Sequence, residues 1–149
     1  MLFPRSALAL FTLAVLTSAC GSSPAIAEQP SATPNPFNAT ACKHFQTGLQ
    51  RLEENLADGK KNGYLPIGLQ VDVPLSKQAV DKAAQLAEGE ARSAMERTAA
   101  AISALGVAVE DTWQDGMDIA QEVTTLGLAV EAVRPLCAAA GSPVTITFS

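Results

Sequence analysis

The sequence has little of the side-chain chemistry that most enzymes use. It contains 149 residues, with one histidine, one tryptophan, one tyrosine and three cysteines. A sole histidine leaves little for a histidine-rich metal site or a histidine-dependent catalytic triad. The sequence also lacks glycine-rich phosphate loops, paired metal-binding cysteines and internal repeats of useful length. We therefore expect a non-catalytic protein of one small domain, with no cofactor and no metal ion.

Positive charge is also scarce. Ten basic residues against fifteen acidic residues give a formal net charge of −5 at pH 7. Because like charges repel, a chain of this sign is a poor partner for the phosphate backbone of a nucleic acid. The composition therefore disfavours nucleic-acid binding.

An apolar run near the N-terminus indicates export. Residues 7–16 are almost entirely apolar and follow the basic side chain of Arg5. Ten residues in a helix reach only about 15 Å, half of a bilayer core of about 30 Å. The run is therefore too short for a permanent membrane span and is typical of a secretory signal peptide.

A cysteine follows this run closely. Residues 16–20, which read LTSAC, resemble the lipobox of bacterial lipoprotein precursors. The resemblance implies that residues 1–19 are a signal peptide and that Cys20 receives a diacylglyceryl group. It also implies a lipid anchor on the outer face of the cytoplasmic membrane or in the cell envelope, which is stable with two or more chains. Cleavage after Ala27, in the sequence AIA at 25–27, would instead release a soluble secreted protein without this cysteine.

Residues 20–39 are predicted to form a disordered tether that begins at the lipidated cysteine. Beyond Cys20 the stretch consists largely of small residues, with four prolines and one acidic side chain. Such a stretch cannot bury enough apolar surface to offset the entropy of ordering it. As a flexible coil it would span about 25 Å. A single helical domain is expected to follow, over residues 40–149.

The domain is predicted to be mainly α, as a three-helix antiparallel bundle with two long helices. Apolar residues at steps of three and four predict helices at about 40–58, 76–105 and 109–133. Thr40 is the expected N-cap of the first helix. Gly106 is expected to separate the two long helices as an antiparallel hairpin, and Pro135 to break or kink the third after Val133.

Two short stretches have the alternating pattern of strands. Residues 67–73 alternate apolar side chains with others, and residues 144–148 alternate and are rich in β-branched side chains. We expect the two stretches to pair as a short two-stranded β-ribbon packed on the helices.

Cys42 and Cys137 are predicted to form one disulfide bond that closes the domain. They are the two cysteines left once Cys20 is lipidated or removed, and an exported protein enters an oxidising compartment. The bond would join the two ends of the domain across about 95 residues, contributing about 4–5 kcal/mol. The alternatives are two buried free thiols and, less favoured without a C-x-x-C arrangement, a redox pair.

A few polar and aromatic residues are candidates for function. Four acidic residues recur at steps of four, three and four and would form one face of the predicted third helix: Asp111, Asp115, Asp118 and Glu122. The simplest interpretation is a solvated face, since the spacing is not that of an EF-hand. Trp113 beside it is either a core residue or, if exposed, an anchor for a protein contact. His44 is most simply a surface or boundary residue; the alternatives are a ligand of haem or of a metal ion, and a catalytic residue. Tyr64, in the loop after the first helix, would be the second ligand of haem.

Two hypotheses of function follow. The first is a non-catalytic cell-envelope lipoprotein that interacts with an envelope protein, in one form a phage- or prophage-encoded protein that blocks a receptor. The second is a carrier of a small ligand, haem or lipid. A carrier needs an apolar cavity of several hundred Å³, which we expect to be lined by Leu52, Leu56, Trp113 and Val123. Close packing with an exposed tryptophan would favour the interaction module.

Overall fold

The computed structural model describes residues 35–115 and 118–148, except for the side chains of 112–115. Over these residues the chain forms four helices: α1 (Pro36–Asn62), α2 (Leu69–Leu86), α3 (Gly89–Asp115) and α4 (Ala120–Ala139). A C-terminal segment, residues 142–148, is neither helix nor strand. The mainly α fold is therefore confirmed. The helices number four in place of the predicted three, and the described ranges contain no strand and hence no β-ribbon.

The helices pack in the order in which they occur along the chain. α1 packs on α2, α2 on α3 and α3 on α4, whereas α1 and α4 make few direct contacts. Successive helices are joined by only two to six residues, so that neighbours run antiparallel. The fully buried side chains come from all four helices and the C-terminal segment, and the largest include Phe45, Met95, Ile102, Leu126 and Ile146.

The first helix begins earlier than predicted. The side chain of Asn35 accepts hydrogen bonds from the backbone N–H groups of Phe37 and Asn38 and so caps α1. Thr40, the predicted cap, lies inside the helix and donates to the carbonyl of Pro36. Gly63, with a φ of +70°, ends the helix in the left-handed conformation that glycine favours. The predicted apolar stripe from Cys42 to Leu52 is buried as expected.

The predicted strand at 67–73 is wrong, because α2 begins at Leu69. The alternating pattern spans the turn before this helix and two faces of its first turns. Leu69 and Val73 are buried against the neighbouring helices, whereas Ile67 in the turn and Val71 in the helix are exposed. Two apolar faces that interleave in sequence therefore imitate the period of two that marks a strand.

The predicted long helix at 76–105 is also wrong. It divides after Leu86, and Gly89 begins α3 with a φ of +56° that a side chain would disfavour. The reversal is supported by the N–H of Glu88, which donates to the side chain of Asn38 (2.8 Å), and by Arg92, which donates to the carbonyl of Ala87 (2.8 Å).

Three further breakpoints are misplaced by the sequence prediction. α3 continues through Gly106, where the hairpin was expected, and ends at Asp115 inside the predicted third helix. α4 continues through Pro135, so the break that was one of the two expectations at this proline is absent. Pro135 is exposed while Val133 and Cys137 on either side are fully buried, so packing of the opposite face maintains the helix around the proline.

Candidate functional site

The predicted disulfide bond between Cys42 and Cys137 is present, and it joins α1 to α4. The two Cα atoms are 5.6 Å apart, and both cysteines are fully buried. Cys42 lies near the start of α1, and Cys137 lies in the last turn of α4. The bond therefore fixes one end of the seam between these two helices.

The C-terminal segment fills the same part of the seam. Its side chains Val144 and Ile146 are buried. Gln46 of α1 donates to the hydroxyl of Thr145 (3.0 Å) and accepts from the N–H of the same residue (2.9 Å). Arg134 of α4 donates to the carbonyl of Ile146 (2.6 Å). Helix side chains thus bond to the backbone groups that a strand partner would have bonded in the predicted ribbon.

The segment ends in close contact with both helices. The N–H of Thr147 donates to the carboxylate of Glu53 on α1 (2.7 Å). On α4, a Cβ atom at Gly127 would lie 2.6 Å from the carbonyl oxygen of Phe148, so glycine is what allows this approach.

At Phe148 the seam opens into an apolar groove of about 940 Å³. The groove lies among the C-terminal half of α1, the α1–α2 connection (residues 63–68), the N-terminal half of α4 and the end of the C-terminal segment. Five hydrophobic side chains that the core covers only in part line it: Leu56, Leu65, Ile119, Val123 and Phe148. Its volume falls within the range of about 300–1,000 Å³ found for small-molecule sites.

Polar side chains stand at the mouth of the groove. The exposed members of its lining include Glu54, Lys60, Lys61, Tyr64 and Asp118. The groove therefore combines apolar walls with a mouth that carries charges of both signs. This arrangement suits a ligand with an apolar body and a polar end.

Tyr64 is held at the mouth by a carboxylate. Its hydroxyl donates to Asp58 (3.1 Å), whose other oxygen accepts from the amide of Asn62 (2.7 Å). This hydrogen bond, together with the negative charge of Asp58 and some desolvation, raises the pKa of Tyr64 above its ordinary value. Tyr64 therefore stays a neutral phenol at physiological pH.

The structure does not bring together the two candidate haem ligands. His44 is exposed near the start of α1, whereas Tyr64 follows the end of this helix. The eighteen residues of helix between His44 and Asn62 separate these positions by about 27 Å. The two side chains cannot bind the same iron atom.

The four acidic candidates do not lie on one helix. Asp111 and Asp115 belong to α3, Asp118 lies in the α3–α4 connection and Glu122 lies in α4. Asp118 accepts from the N–H of Ala120 (2.9 Å) at the start of α4 and lines the groove. The side chains of Asp115 and of Trp113, in the last turns of α3, lie outside the described part of the structure. The placement of Trp113, in the core or exposed as an anchor, therefore stays a prediction.

Two of the four residues that were expected to line a cavity do line the groove. Leu56 and Val123 line the groove, while Leu52 is fully buried beneath it. Sequence reasoning missed Ile119 and Phe148, since both were assigned to regular elements that are not present. Asp118 could have indicated that a helix starts close to Ile119, because aspartate is a common N-cap residue.

No protein-family model, curated protein or solved structure matches this chain. Within the described ranges, no cluster of three or more metal-binding side chains occurs. None of the described helices is long and apolar enough to cross a bilayer. The predicted signal peptide, the predicted lipidation site Cys20 and the alternative cleavage site at Ala27 fall in residues 1–34, outside the described part of the structure.

Proposed function

We propose that this protein is a non-catalytic carrier that holds an acyl lipid in the groove between α1 and α4. The observation that supports this proposal most is the convergence of Leu56, Leu65, Ile119, Val123 and Phe148 on one groove. Side chains of this type usually complete a core, and here they line a space of ligand size.

The chemistry of the walls favours an acyl chain over an extended peptide. A peptide needs partners for its backbone N–H and C=O groups wherever it leaves water. The aliphatic and phenyl side chains supply none. Of the other polar side chains in the lining, Glu53 and Thr147 are bonded to each other, Thr124 donates to the carbonyl of Ala120, and the exposed charged groups stand at the mouth. An acyl chain needs no such partners, and its polar head would meet the lysines and Tyr64.

Haem is a poorer candidate for the same groove. Tyr64 binds iron as the phenolate, and the contact with Asp58 raises its pKa and so disfavours this form. His44 lies at the far end of α1. Within the carrier hypothesis, lipid is therefore preferred to haem.

The proposal places the carrier outside the cytoplasm, anchored through a lipid on Cys20. The disulfide bond supports export, because such bonds persist in oxidising compartments. Intact-mass analysis of the membrane fraction is expected to give a chain that starts at an acylated Cys20. A water-soluble chain that starts at Glu28 would instead support secretion after cleavage at Ala27.

Interaction with an envelope protein, including receptor blocking, ranks second. The version of this hypothesis that uses one acidic helix face is weakened, because Asp111 lies in α3, Asp118 in the α3–α4 connection and Glu122 in α4. Recovery of the same envelope partners by the wild type and by an Asp111→Asn/Asp118→Asn variant would remove this form of the hypothesis.

Filling the groove tests the proposed function. Ala57 is exposed and lines the groove, so Ala57→Trp occupies the ligand space with little effect on the core. Ala100→Trp is the matched control, since Ala100 is equally a helical, exposed alanine but does not line the groove. We expect titration with a fluorescent fatty acid to give binding at least about tenfold weaker for Ala57→Trp only. Equal binding by both variants, or no binding by the wild type, would contradict the proposal.

A further inference from the structure

The start of α2 and the turn before it carry an apolar stripe that no part of the described chain covers. Ile67, Val71 and Leu75 recur at steps of four, and they are 74%, 59% and 50% exposed. Val71 and Leu75 lie on the same side of α2, since residues four apart in a helix do, and Ile67 lies in the turn that leads into this helix. A stable helix face of this kind marks a surface that meets an apolar partner.

The surroundings of the stripe differ in charge from the rest of the chain. Between Lys61 and Asp81 the only acidic residue is Asp72, which is buried on the opposite face. The exposed neighbours of the stripe on α2, Gln70, Pro74 and Gln78, are uncharged.

Lysines precede and follow the stripe in sequence. Lys60 and Lys61 lie in the last turn of α1, and Lys77 and Lys82 lie further along α2, so that four of the five lysines of the chain fall within residues 60–82. Lys77 is paired with Asp81 (2.7 Å). Residues 58–82 contain four lysines and three aspartates, a net charge of +1, whereas the whole chain carries −5.

We propose that the α2 stripe docks on the surface of a bilayer that contains anionic lipids. An apolar strip flanked by lysines is the composition of a helix that lies in the membrane interface, where the strip enters the acyl region and the lysines meet the headgroups. The proposal is independent of the ligand in the groove. It adds a second membrane contact to the proposed anchor, and weak membrane contacts become stable in pairs.

A second copy of the chain is a poorer occupant of the stripe. Two copies joined through the stripe would place the stretches 58–82 of both chains, each with a net charge of +1, against each other. Like charges brought together at the rim of an interface oppose association. An anionic surface removes this repulsion and replaces it with attraction.

The groove and the stripe adjoin along the chain. Tyr64, Leu65 and Pro66 line the groove, and Ile67 begins the stripe one residue later. Docking through the stripe would therefore bring the α1–α2 connection to the bilayer surface.

Position-specific quenching tests the docking surface in the full chain. Val71→Cys and, as a control, Leu128→Cys are each made with Cys20→Ser and labelled with an environment-sensitive dye. The label reacts at one site because Cys42 and Cys137 are bonded to each other. Leu128 is a matched control, since it is an apolar residue on α4 that is 69% exposed. Each protein is mixed with phosphatidylcholine vesicles that contain increasing fractions of phosphatidylglycerol and a quencher attached to the acyl chains.

We expect strong quenching at position 71, little at position 128, and an increase at 71 with the phosphatidylglycerol fraction. Lys77→Gln/Lys82→Gln, which leaves the groove intact, should lower the quenching at position 71. Equal quenching at both positions, or none at 71, would overturn the proposal. A label at 71 that is already shielded from a water-soluble quencher without vesicles would also overturn it, because the stripe would then be covered by protein.

Discussion

The two ends of the seam between α1 and α4 are built in opposite ways. At the end that contains Cys42 and Cys137, the helices are joined by a covalent bond and the C-terminal segment fills the space between them. At the other end, about 20 Å further along α1, Leu56 faces Val123 across an open groove. We call these the closed end and the open end.

The contrast shows how a small helical domain can support an apolar groove. Alanine-rich helices bury little area per residue, and open apolar walls reduce the hydrophobic stabilisation further. The disulfide bond acts mainly by limiting the freedom of the unfolded chain, so its stabilising effect does not depend on packing at the open end. The closed end thus stabilises a domain whose other end is left open for a ligand.

Removing the disulfide bond should have the largest effect on this contrast. We expect Cys42→Ala/Cys137→Ala to lose about 4–5 kcal/mol, because the bond closes a loop of 95 residues. In thermal unfolding followed by circular dichroism, this loss corresponds to a fall in Tm of roughly 20 °C or more. Cys20→Ala is the control and should unfold as the wild type does. An unchanged Tm for the double variant would show that the closed end does not stabilise the domain.

Moving the C-terminal segment away from α4 should have a smaller effect. Gly127→Val introduces a side chain where the carbonyl of Phe148 now lies, so we expect a loss of about 1–3 kcal/mol. Ala132→Val adds the same side chain at an exposed position of α4 and controls for helix propensity. Chemical denaturation measures both variants. Equal stability of the two would contradict the tight contact between the segment and the helix.

The smallest expected effect is a change in the pKa of Tyr64 at the open end. We expect Asp58→Asn to lower the pKa of Tyr64 towards its ordinary value of 10.0, because it removes the negative charge beside the phenol. The chain has one tyrosine, so ultraviolet absorbance of the phenolate reports this group alone. Glu54→Gln is the control. The folded pKa is raised, so the stabilisation from this contact is complete below the unfolded pKa and is lost as the pH rises through the folded value. An unchanged titration in Asp58→Asn would show that the two groups do not interact in solution.

Much of the closed end could be predicted from the sequence. Cys42, Phe45, Leu49 and Leu52 repeat at helical steps and are all buried. The pairing of Cys42 with Cys137 was predicted because they are the two cysteines that remain if Cys20 is lipidated or removed, and this bond is present. The C-terminal residues 144–148 were recognised as a segment that alternates, and Val144 and Ile146 are indeed its buried side. The predicted pairing of this segment with a second strand is wrong, because Gln46 and Arg134 make hydrogen bonds to its backbone instead.

The open end was harder to predict for a physical reason. The apolar residues at 67–75 lie in the turn before α2 and on two faces of this helix, one in the core and one in solvent. A single sequence does not distinguish such interleaved faces from one alternating strand. The error at 67–73 displaced the α1–α2 connection, which forms one wall of the groove. The α3–α4 break was missed because apolar residues at helical steps continue from Val109 to Val133, on both sides of Gly116.

Photo-crosslinking with a diazirine-labelled fatty acid tests the central claim most directly. The full chain is irradiated with the probe, digested and analysed by mass spectrometry. The account predicts crosslinks in residues 53–66 and 119–124, which line the open end, and their loss in Ala57→Trp but not in Ala100→Trp. Crosslinks concentrated at the closed end, in residues 42–49 and 137–146, or spread evenly over the surface, would contradict it.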